Sequence, residues 1–430
     1  MPSSRWRTIY YPATSLLAGL FAAQGLSTLQ VYLSNKVLYR TLTVVHNAGY
    51  LAVPNPQIMD RLQELGPALY GGLFFTLSAG AGLSLISFAA AWVWDRLFSR
   101  NTIPLIFLLF LWAGSLGAAN LEGFSPMVSA CFLVIPAVVF WFTLRLMPPQ
   151  TEKNPWLSRL IPLIPIALLA CLWGTQMNGH LFLDLRDNLL LSNPAGKGIT
   201  DFYYRYTLYP AEVFKSLDQK TIKTCNLEQI RKRSLKRLLK GKLLNYDYLN
   251  TGGDGEVDLT IREKGRTLIL ENGGKVLLRT TANDFLSAPG HILKQFSSET
   301  DRYSFFRQFT FFSLLIGFPI TLYLFLYTVI LYLLCRFFDL KTSSVAASMI
   351  CFLTGVLLVM PVYFGHAGKI DKKDLSQTLE SGRWQERGAV DELLKKIKES
   401  DNWYDQWRAY KALRALGWKQ TGSREAIKSD

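Results

Sequence analysis

The sequence predicts a mainly α-helical, polytopic membrane protein with a small inserted α+β extramembrane domain and a helical C-terminal tail. Half of the 430 residues are hydrophobic and only 18% are charged. The apolar residues form long uninterrupted runs, which is typical of membrane proteins and not of globular ones. A long stretch of mixed, partly basic sequence interrupts these runs. We expect domains at 1–177, 178–307, 308–366 and 367–430, with the membrane spans in the first and third.

About seven transmembrane helices are expected, because each needs about 20 mostly apolar residues. The segments that reach or approach this length are Ile9–Leu33, Gly66–Trp94, Ile103–Ala119, Phe124–Leu146, Leu160–Met177, Phe309–Phe338 and Val345–Phe364. The first run is too long for the apolar part of a signal peptide, and no small-residue cleavage site ends it. We therefore interpret it as a retained span.

Lysine and arginine in the short loops predict the orientation, because cytoplasmic loops carry an excess of these residues. With a cytoplasmic N-terminus, the short outer loops hold Lys36, Arg40 and Arg61. The inner side then holds Arg5, Arg7, Arg96, Arg100, Arg145, Lys153, Arg159, Arg336 and Lys341. This bias predicts a bacterial inner-membrane protein whose inserted domain and tail are non-cytoplasmic. The cations Lys369, Lys372 and Lys373, just after the last span, favour the opposite orientation.

Composition excludes several classes of function. The formal net charge of +15 fits loops that face anionic headgroups, so it does not indicate a nucleic-acid partner. Of the five cysteines only Cys225 lies in soluble sequence, which excludes a disulfide framework. The chain has no GxSxG, HExxH, Walker A motif or dinucleotide fingerprint, so we expect no enzymatic activity.

Two histidines are the candidate ligands for a metal or haem group. His180 and His366 each follow the outer end of a predicted span. Imidazole coordinates metal ions and haem iron. However, the sequence shows neither a paired carboxylate nor a second metal ligand for these histidines. We therefore expect no cofactor.

The most distinctive feature of the inserted domain is a basic helix predicted over Leu227–Leu244. Leu227, Ile230, Leu235, Leu238 and Leu239 gather on one side at helical spacing. Arg233, Lys236, Arg237 and Lys240 lie opposite. The full run of cations, with no acid among them, is Arg231, Lys232, Arg233, Lys236, Arg237, Lys240 and Lys242. They form either a surface for anionic lipid or a protein partner, or a solvated helix face. Alternating residues after the helix predict a small antiparallel sheet with a hairpin turn at Asn272–Gly274.

The tail shows helical periodicity with large aromatic residues. The pieces Ser381-Gly-Arg-Trp-Gln-Glu-Arg and Asp405-Gln-Trp-Arg-Ala-Tyr-Lys-Ala-Leu resemble helices of HEAT-type repeats, over about one tenth of the chain. The resemblance implies protein binding through Trp384, Arg387, Trp403, Trp407 and Arg408. The alternative is an amphipathic helical hairpin that packs on the membrane domain, since solenoids normally need about three repeats.

These features favour a non-catalytic membrane component: a scaffold, assembly factor or accessory subunit that binds membrane lipid or protein partners. The alternative is a permease or lipid-handling transporter. Ion-coupled transporters keep ionisable residues at membrane depth, whereas the polar side chains in these spans are mainly Gln24, Gln30 and Gln176.

Overall fold

The computed structural model describes residues 4–148, 164–174, 189–191, 193–207, 210–252, 256–364 and 387–418. The chain forms two compact units, and each draws on three separate stretches. The first unit comprises Met1–Gln30, Leu69–Tyr203 and Phe305–Ile370. The second comprises Val31–Ala68, Tyr204–Ser304 and Asp371–Asp430.

Helices that lie wholly or partly in the first unit dominate it, and most of them are apolar. They are α1 (Ser4–Asn47), α3 (Leu65–Phe75), α4 (Ala81–Arg96), α5 (Thr102–Asn120), α6 (Pro126–Leu146), α7 (Ile164–Gly174), α8 (Pro194–Tyr206), α12 (Ser304–Phe312), α13 (Phe318–Leu334) and α14 (Leu340–Phe364). Over the described residues, six helical stretches are long and apolar enough to cross a membrane. The short helix α7 occupies the centre of the fifth predicted span, whose flanks the structure does not describe.

Helix α1 is longer than the predicted first span. It runs over 44 residues, from Ser4 to Asn47, whereas the predicted span ends at Leu33. The helix continues because Leu38, Leu42 and Val45 keep an apolar stripe at helical spacing after the hydropathy falls. Leu42 and Val45 are fully buried in the second unit.

The second and sixth predicted spans each contain a π-helical turn. The turns are Thr76–Gly80, between α3 and α4, and Ser313–Gly317, between α12 and α13. The two spans meet so closely that a Cβ on Gly82 would collide with the Ser313 side chain. Small residues therefore serve close helix packing here, as the glycines of the second span predict.

Gln24 supplies a polar connection between the first two predicted spans. Its Nε2 donates to the carbonyl of Leu69 at 2.9 Å, and its Oε1 accepts from the Thr76 hydroxyl at 2.8 Å. Hydrogen bonds of this kind hold transmembrane helices together. This half-buried glutamine side chain is thus engaged within the helix bundle.

The second unit contains a mixed five-stranded sheet. Its strands are β1 (Lys223–Asn226), β2 (Tyr248–Asn250), β3 (Leu259–Lys264), β4 (Thr267–Asn272) and β5 (Lys275–Thr281), in the order β2-β1-β3-β4-β5. Strands β3 to β5 form the predicted antiparallel hairpins. The purely antiparallel prediction is wrong, because β1 pairs parallel with both β2 and β3. Strands β1 and β2 are too short for an alternating pattern, and the basic helix provides the crossover that their parallel pairing requires.

Within the described ranges, the remaining helices of the second unit are one short helix after α1, three helices next to the sheet and two helices in the tail. They are α2 (Pro56–Met59), α9 (Arg233–Leu244), α10 (Ala282–Ser287), α11 (Pro289–Thr300), α15 (Arg387–Glu399) and α16 (Trp403–Ala415). The basic helix α9 begins at Arg233 and not at Leu227 as predicted. Asn226 accepts from the backbone N–H of Glu228 at 2.8 Å, and this local turn competes with helix formation.

The second unit has two apolar cores. One lies between the sheet and helices α9 to α11, and its fully buried members include Leu239, Leu243, Phe285 and Phe296. The other, which we call the tail core, joins three parts of the chain that are far apart in sequence. Its buried members are Leu42, Val45, Tyr50, Ala52, Val53, Ile58, Met59, Leu62, Leu249, Leu393, Ile397, Trp403, Ala409, Tyr410 and Leu413.

Candidate interaction surfaces

The basic helix α9 is held to the sheet by its leucines. Leu239 and Leu243 are 0% and 1% exposed, and Leu235 is partly buried against the same core. Leu238, expected on this side, is instead 56% exposed. Adjacent residues are separated by about 100° around a helix, so Leu238 is turned away from the sheet when Leu239 faces it.

The predicted cations of this helix lie on its accessible surface. Arg231, Lys232, Arg233, Arg237 and Lys242 are exposed, and Lys236 and Lys240 are half-buried. No acidic residue occurs between Gln229 and Tyr246. Leu238 stands among these cations, so the surface combines positive charge with one exposed aliphatic side chain. We call this surface the basic stripe.

Trp403 belongs to the core of its own chain. Its side chain is 6% exposed and packs in the tail core with Tyr410 and Leu413. A ring buried in this way has little surface left for a separate partner. The sequence pattern cannot distinguish this arrangement from a partner surface, because both require a large aromatic residue on one helix face.

The other predicted tail residues are placed differently. Trp407 is half-buried at the edge of the tail core, and Arg408 is exposed. Arg387 is the first residue of α15, and Trp384 lies outside the described residues. Helices α15 and α16 pack against each other as a hairpin.

Asn55 and Gln406 connect the tail to the segment that follows α1. The backbone N–H of Asn55 donates to Oε1 of Gln406 at 2.8 Å, and its Nδ2 donates to the carbonyl of Lys398 at 2.8 Å. Asn55 Oδ1 also accepts from Ile58 N and caps α2. Asn55 is 3% exposed and Gln406 is fully buried. Buried amides satisfied in this way fix one arrangement of the two segments.

Asp247 connects the tail to the sheet and to the end of the basic helix. Its Oδ1 lies 2.8 Å from Nε of Arg414 and 3.4 Å from the hydroxyl of Tyr410. Its backbone carbonyl accepts from the N–H of Lys223, the first residue of β1. The tail therefore packs on the sheet domain of the second unit. The tail core also includes the end of α1, so the alternative of a hairpin packed on the membrane domain stays a prediction.

A buried lysine in the sheet was not singled out by the sequence. Lys223 is 6% exposed, its Nζ donates to the carbonyl of Tyr246 at 2.9 Å, and it lies 5.1 Å from the ring centroid of Tyr248. Burial lowers its pKa, although the nearby carboxylates Asp247 and Asp218 oppose this effect. One lysine among many in a basic chain carries no sequence signal of burial.

Carboxylates around Lys223 are engaged in hydrogen bonds and ion pairs. Asp258 binds Lys220 Nζ at 2.9 Å and accepts from the backbone N–H and the hydroxyl of Thr224. Asp218 accepts from the hydroxyls of Ser216 and Ser297. This network is what a buried ammonium group needs to remain in a folded domain, and it supports a structural role.

No metal site is apparent in the part of the chain that the structure describes. It contains no group of three or more His, Cys, Asp or Glu side chains that could hold an ion. The candidate ligands His180 and His366 both lie outside that part. Their assignment stays a prediction.

The described residues thus present one exposed basic stripe, one hairpin tail that is packed on its own chain, and a bundle of apolar helices. Comparison with known protein families, with curated proteins and with solved structures finds no match to this chain.

Proposed function

We propose that this chain is a non-catalytic membrane scaffold, assembly factor or accessory subunit, which binds anionic lipid or protein partners through its extramembrane unit. The observation that supports it best is the basic stripe on α9. Most of its cations project from a helix whose buried leucines fix it to the sheet, so the backbone positions of these cations are set before any partner binds. Such preorganisation reduces the entropy lost on binding.

We further propose seven membrane spans, with α7 as the fifth. The segment after α1, the sheet domain and the tail share the tail core, so they occupy one face of the membrane. The chain leaves that face at α3 and returns to it before Tyr204, which requires an even number of crossings. The candidate spans between these points are Leu65–Arg96, Thr102–Asn120 and Pro126–Leu146, so a fourth crossing is needed. Helix α7 is the apolar helix available for it.

The loop cations support an N-terminus in the cytoplasm of a bacterium, with the second unit on the outer side of the inner membrane. In the seven-span arrangement, Arg96, Arg100, Arg145 and Arg336 all fall on the side of the N-terminus, as the positive-inside rule requires.

Cysteine labelling with a membrane-impermeant maleimide tests this topology. Asn47→Cys and Ser298→Cys are both exposed sites in the second unit, and Lys341→Cys lies between the last two spans. In spheroplasts the first two should react at once, and the third only after permeabilisation. Labelling of Asn47→Cys and Ser298→Cys from opposite sides would contradict the seven spans. The wild-type chain, with its own five cysteines, provides the background.

A charge-removal experiment tests the proposed binding role. In the full-length protein, Arg233, Lys236, Arg237 and Lys240 are replaced by Gln, and the lipids and proteins retained after mild-detergent purification are identified. We expect the variant to lose anionic lipid or a specific partner. A matched variant with Lys264, Arg266, Lys275 and Arg279 replaced by Gln should keep both. Identical profiles for all three proteins would leave the basic stripe as a solvated face.

The second candidate function is a permease or lipid-handling transporter, and the pair of π-helical turns is the observation that favours it. Such turns occur frequently at functional sites within helices. A cysteine at Ser78, which is fully buried in the first turn, tests this function. A transport path that opens to water should let a water-soluble thiol reagent reach it. A site that stays unreactive would favour the scaffold.

A further inference from the structure

Three aromatic rings and two cations form a continuous surface on the second unit. Tyr204 stacks on Tyr404 with ring centroids 4.0 Å apart, and Tyr404 lies 6.1 Å from Trp407 at an interplanar angle of 19°. The guanidinium of Arg408 lies 5.6 Å from the Tyr404 centroid, and Nζ of Lys411 lies 5.8 Å from that of Trp407. We call these five residues the aromatic–cationic strip.

The strip is accessible and positively charged. Its three rings are half-buried, whereas Arg408 and Lys411 are exposed. Asp405 is the one acidic residue on α16, and the remaining cation of this helix, Arg414, already pairs with Asp247. The two exposed cations can therefore receive an anion from outside the unit.

Chain continuity connects the start of the strip to a candidate membrane span. Within the first unit, Phe202 packs on Tyr70 with centroids 5.8 Å apart, and Tyr203 packs on Phe74 at 5.5 Å. Tyr70 and Phe74 belong to the first three turns of a 32-residue apolar stretch, Leu65–Arg96. A span needs only about 20 residues, so a stretch of this length is longer than the hydrocarbon core requires. Tyr204 follows Tyr203 directly, and consecutive Cα atoms are about 3.8 Å apart.

We propose that the aromatic–cationic strip binds the headgroups of anionic phospholipids at the bilayer surface. Tyrosine and tryptophan rings are favoured at the membrane–water interface, where one side of the ring is apolar and the other is hydrated. Lysine and arginine next to them attract lipid phosphates. The inference rests on the proposed function and specifies the ligand of the tail. It also gives Trp407 and Arg408 a role that differs from protein docking.

Hydrogen exchange of the full-length protein in nanodiscs tests the proposal. One set of discs contains zwitterionic lipid alone, and the other includes phosphatidylglycerol. A ligand that binds only the folded tail slows its opening, so amides of α16 should exchange several-fold more slowly in the anionic discs. The protection should shrink at high salt. Dissolved ions screen the attraction between the cations and the headgroups over about 8 Å at physiological ionic strength, and over shorter distances as the salt concentration rises.

The variant Arg408→Gln with Lys411→Gln should lose the difference between the two lipids. The control, Lys396→Gln with Lys398→Gln, removes two exposed cations from α15 and should keep it. A tail that is merely destabilised exchanges faster in both kinds of disc. The ratio between discs therefore reports lipid binding, and the absolute rate reports folding.

Equal exchange of wild-type α16 in both lipids would overturn the proposal. Loss of the difference in the control pair as well would also overturn it, because general charge would then account for the effect. Protection that appears only when a soluble protein fraction is added would assign the strip to a protein partner and reject the lipid. The α9 variants test binding by the basic stripe in a separate experiment. A negative result for the aromatic–cationic strip can therefore be told apart from a failure of the proposed function.

Discussion

Asp247 is the residue on which the sheet, the basic helix and the tail converge. Its backbone has a φ of +62°, a conformation that aspartate tolerates better than most residues. Its side-chain carboxylate is 31% exposed and the side chain of its partner Arg414 is 20% exposed, so solvent screens the pair only in part. The ion pair is therefore stronger than one on an open surface.

A double-mutant cycle measures this contact. Asp247→Asn keeps a residue that tolerates positive φ and removes the charge, and Arg414→Gln removes the guanidinium. We expect a coupling free energy of about 1 kcal/mol between the two positions, because residues in direct contact are not additive. Denaturant unfolding of the purified protein gives the four stabilities, and hydrogen exchange of α16 reports the site. Additive effects within about 0.3 kcal/mol would show that the pair contributes nothing of its own.

Lys223 gives the protein a predictable response to alkaline pH. Burial lowers the pKa of Lys223 below the ordinary value of 10.5. The negative charges of nearby carboxylates raise this pKa and so offset part of the effect; they are Asp247, Asp218, Asp258 and Glu212. The unfolded chain therefore binds more protons in the window between the two pKa values, and stability rises with pH across it. Lys223→Met should remove this rise. The difference in unfolding free energy between wild type and variant is measured from neutral pH up to 10.5, and a constant difference would contradict the assignment.

At the scale of elements, helix α9 presents two leucines with opposite roles in adjacent positions. Leu239 is fully buried against the sheet, whereas Leu238 is 56% exposed among the cations. Leu239→Ala should destabilise the protein by about 2–5 kcal/mol, because the cavity adds to the lost transfer energy. Leu238→Ala is the matched control and should change stability by less than about 0.5 kcal/mol. Thermal unfolding in detergent compares them, and equal losses would mean that α9 is oriented differently.

The same helix shows what could be predicted from the sequence and what could not. The apolar spans carry a strong signal, since runs of about 20 consecutive apolar residues are typical of membrane-crossing helices and rare in soluble domains. The charged face of α9 was also recognisable. The exposure of Leu238 could not be predicted. Five leucines and isoleucines lie in this short segment, so the sequence does not show which of them mark the edge of the buried side.

Long-range structure was the hardest to predict. Strands β1 and β2 have four and three residues, too few for an alternating pattern. The tail core depends on Leu42, Leu249 and Tyr410, which lie in three separate parts of the chain. Periodicity reports which face of one helix is apolar, but it contains no information about which distant helix covers that face.

At the scale of the whole molecule, the tail is part of the structure of the second unit. Deletion of residues 371–430 removes Trp403, Tyr410 and Leu413 from the tail core and uncovers Leu42 and Leu62. We expect a fall in melting temperature in detergent and faster exchange of the C-terminal part of α1. Deletion of residues 419–430 is the control, since it leaves these five side chains in place. A full truncation as stable as the wild type would refute an intrachain role.

The hydrogen bond between Asn55 and Gln406 joins residues that are 351 positions apart in the chain. A ribosome that has released Asn55 must still synthesise the later spans, the sheet domain and α15 before Gln406 emerges. Throughout that time the apolar face of Leu42, Val45, Ile58 and Leu62 has no cover from the tail helices. We therefore expect chaperones and quality-control proteases to bind this apolar face of the nascent protein. A premature stop codon between α14 and α15 should cause degradation of the product, even though every candidate membrane span of the described residues has been made.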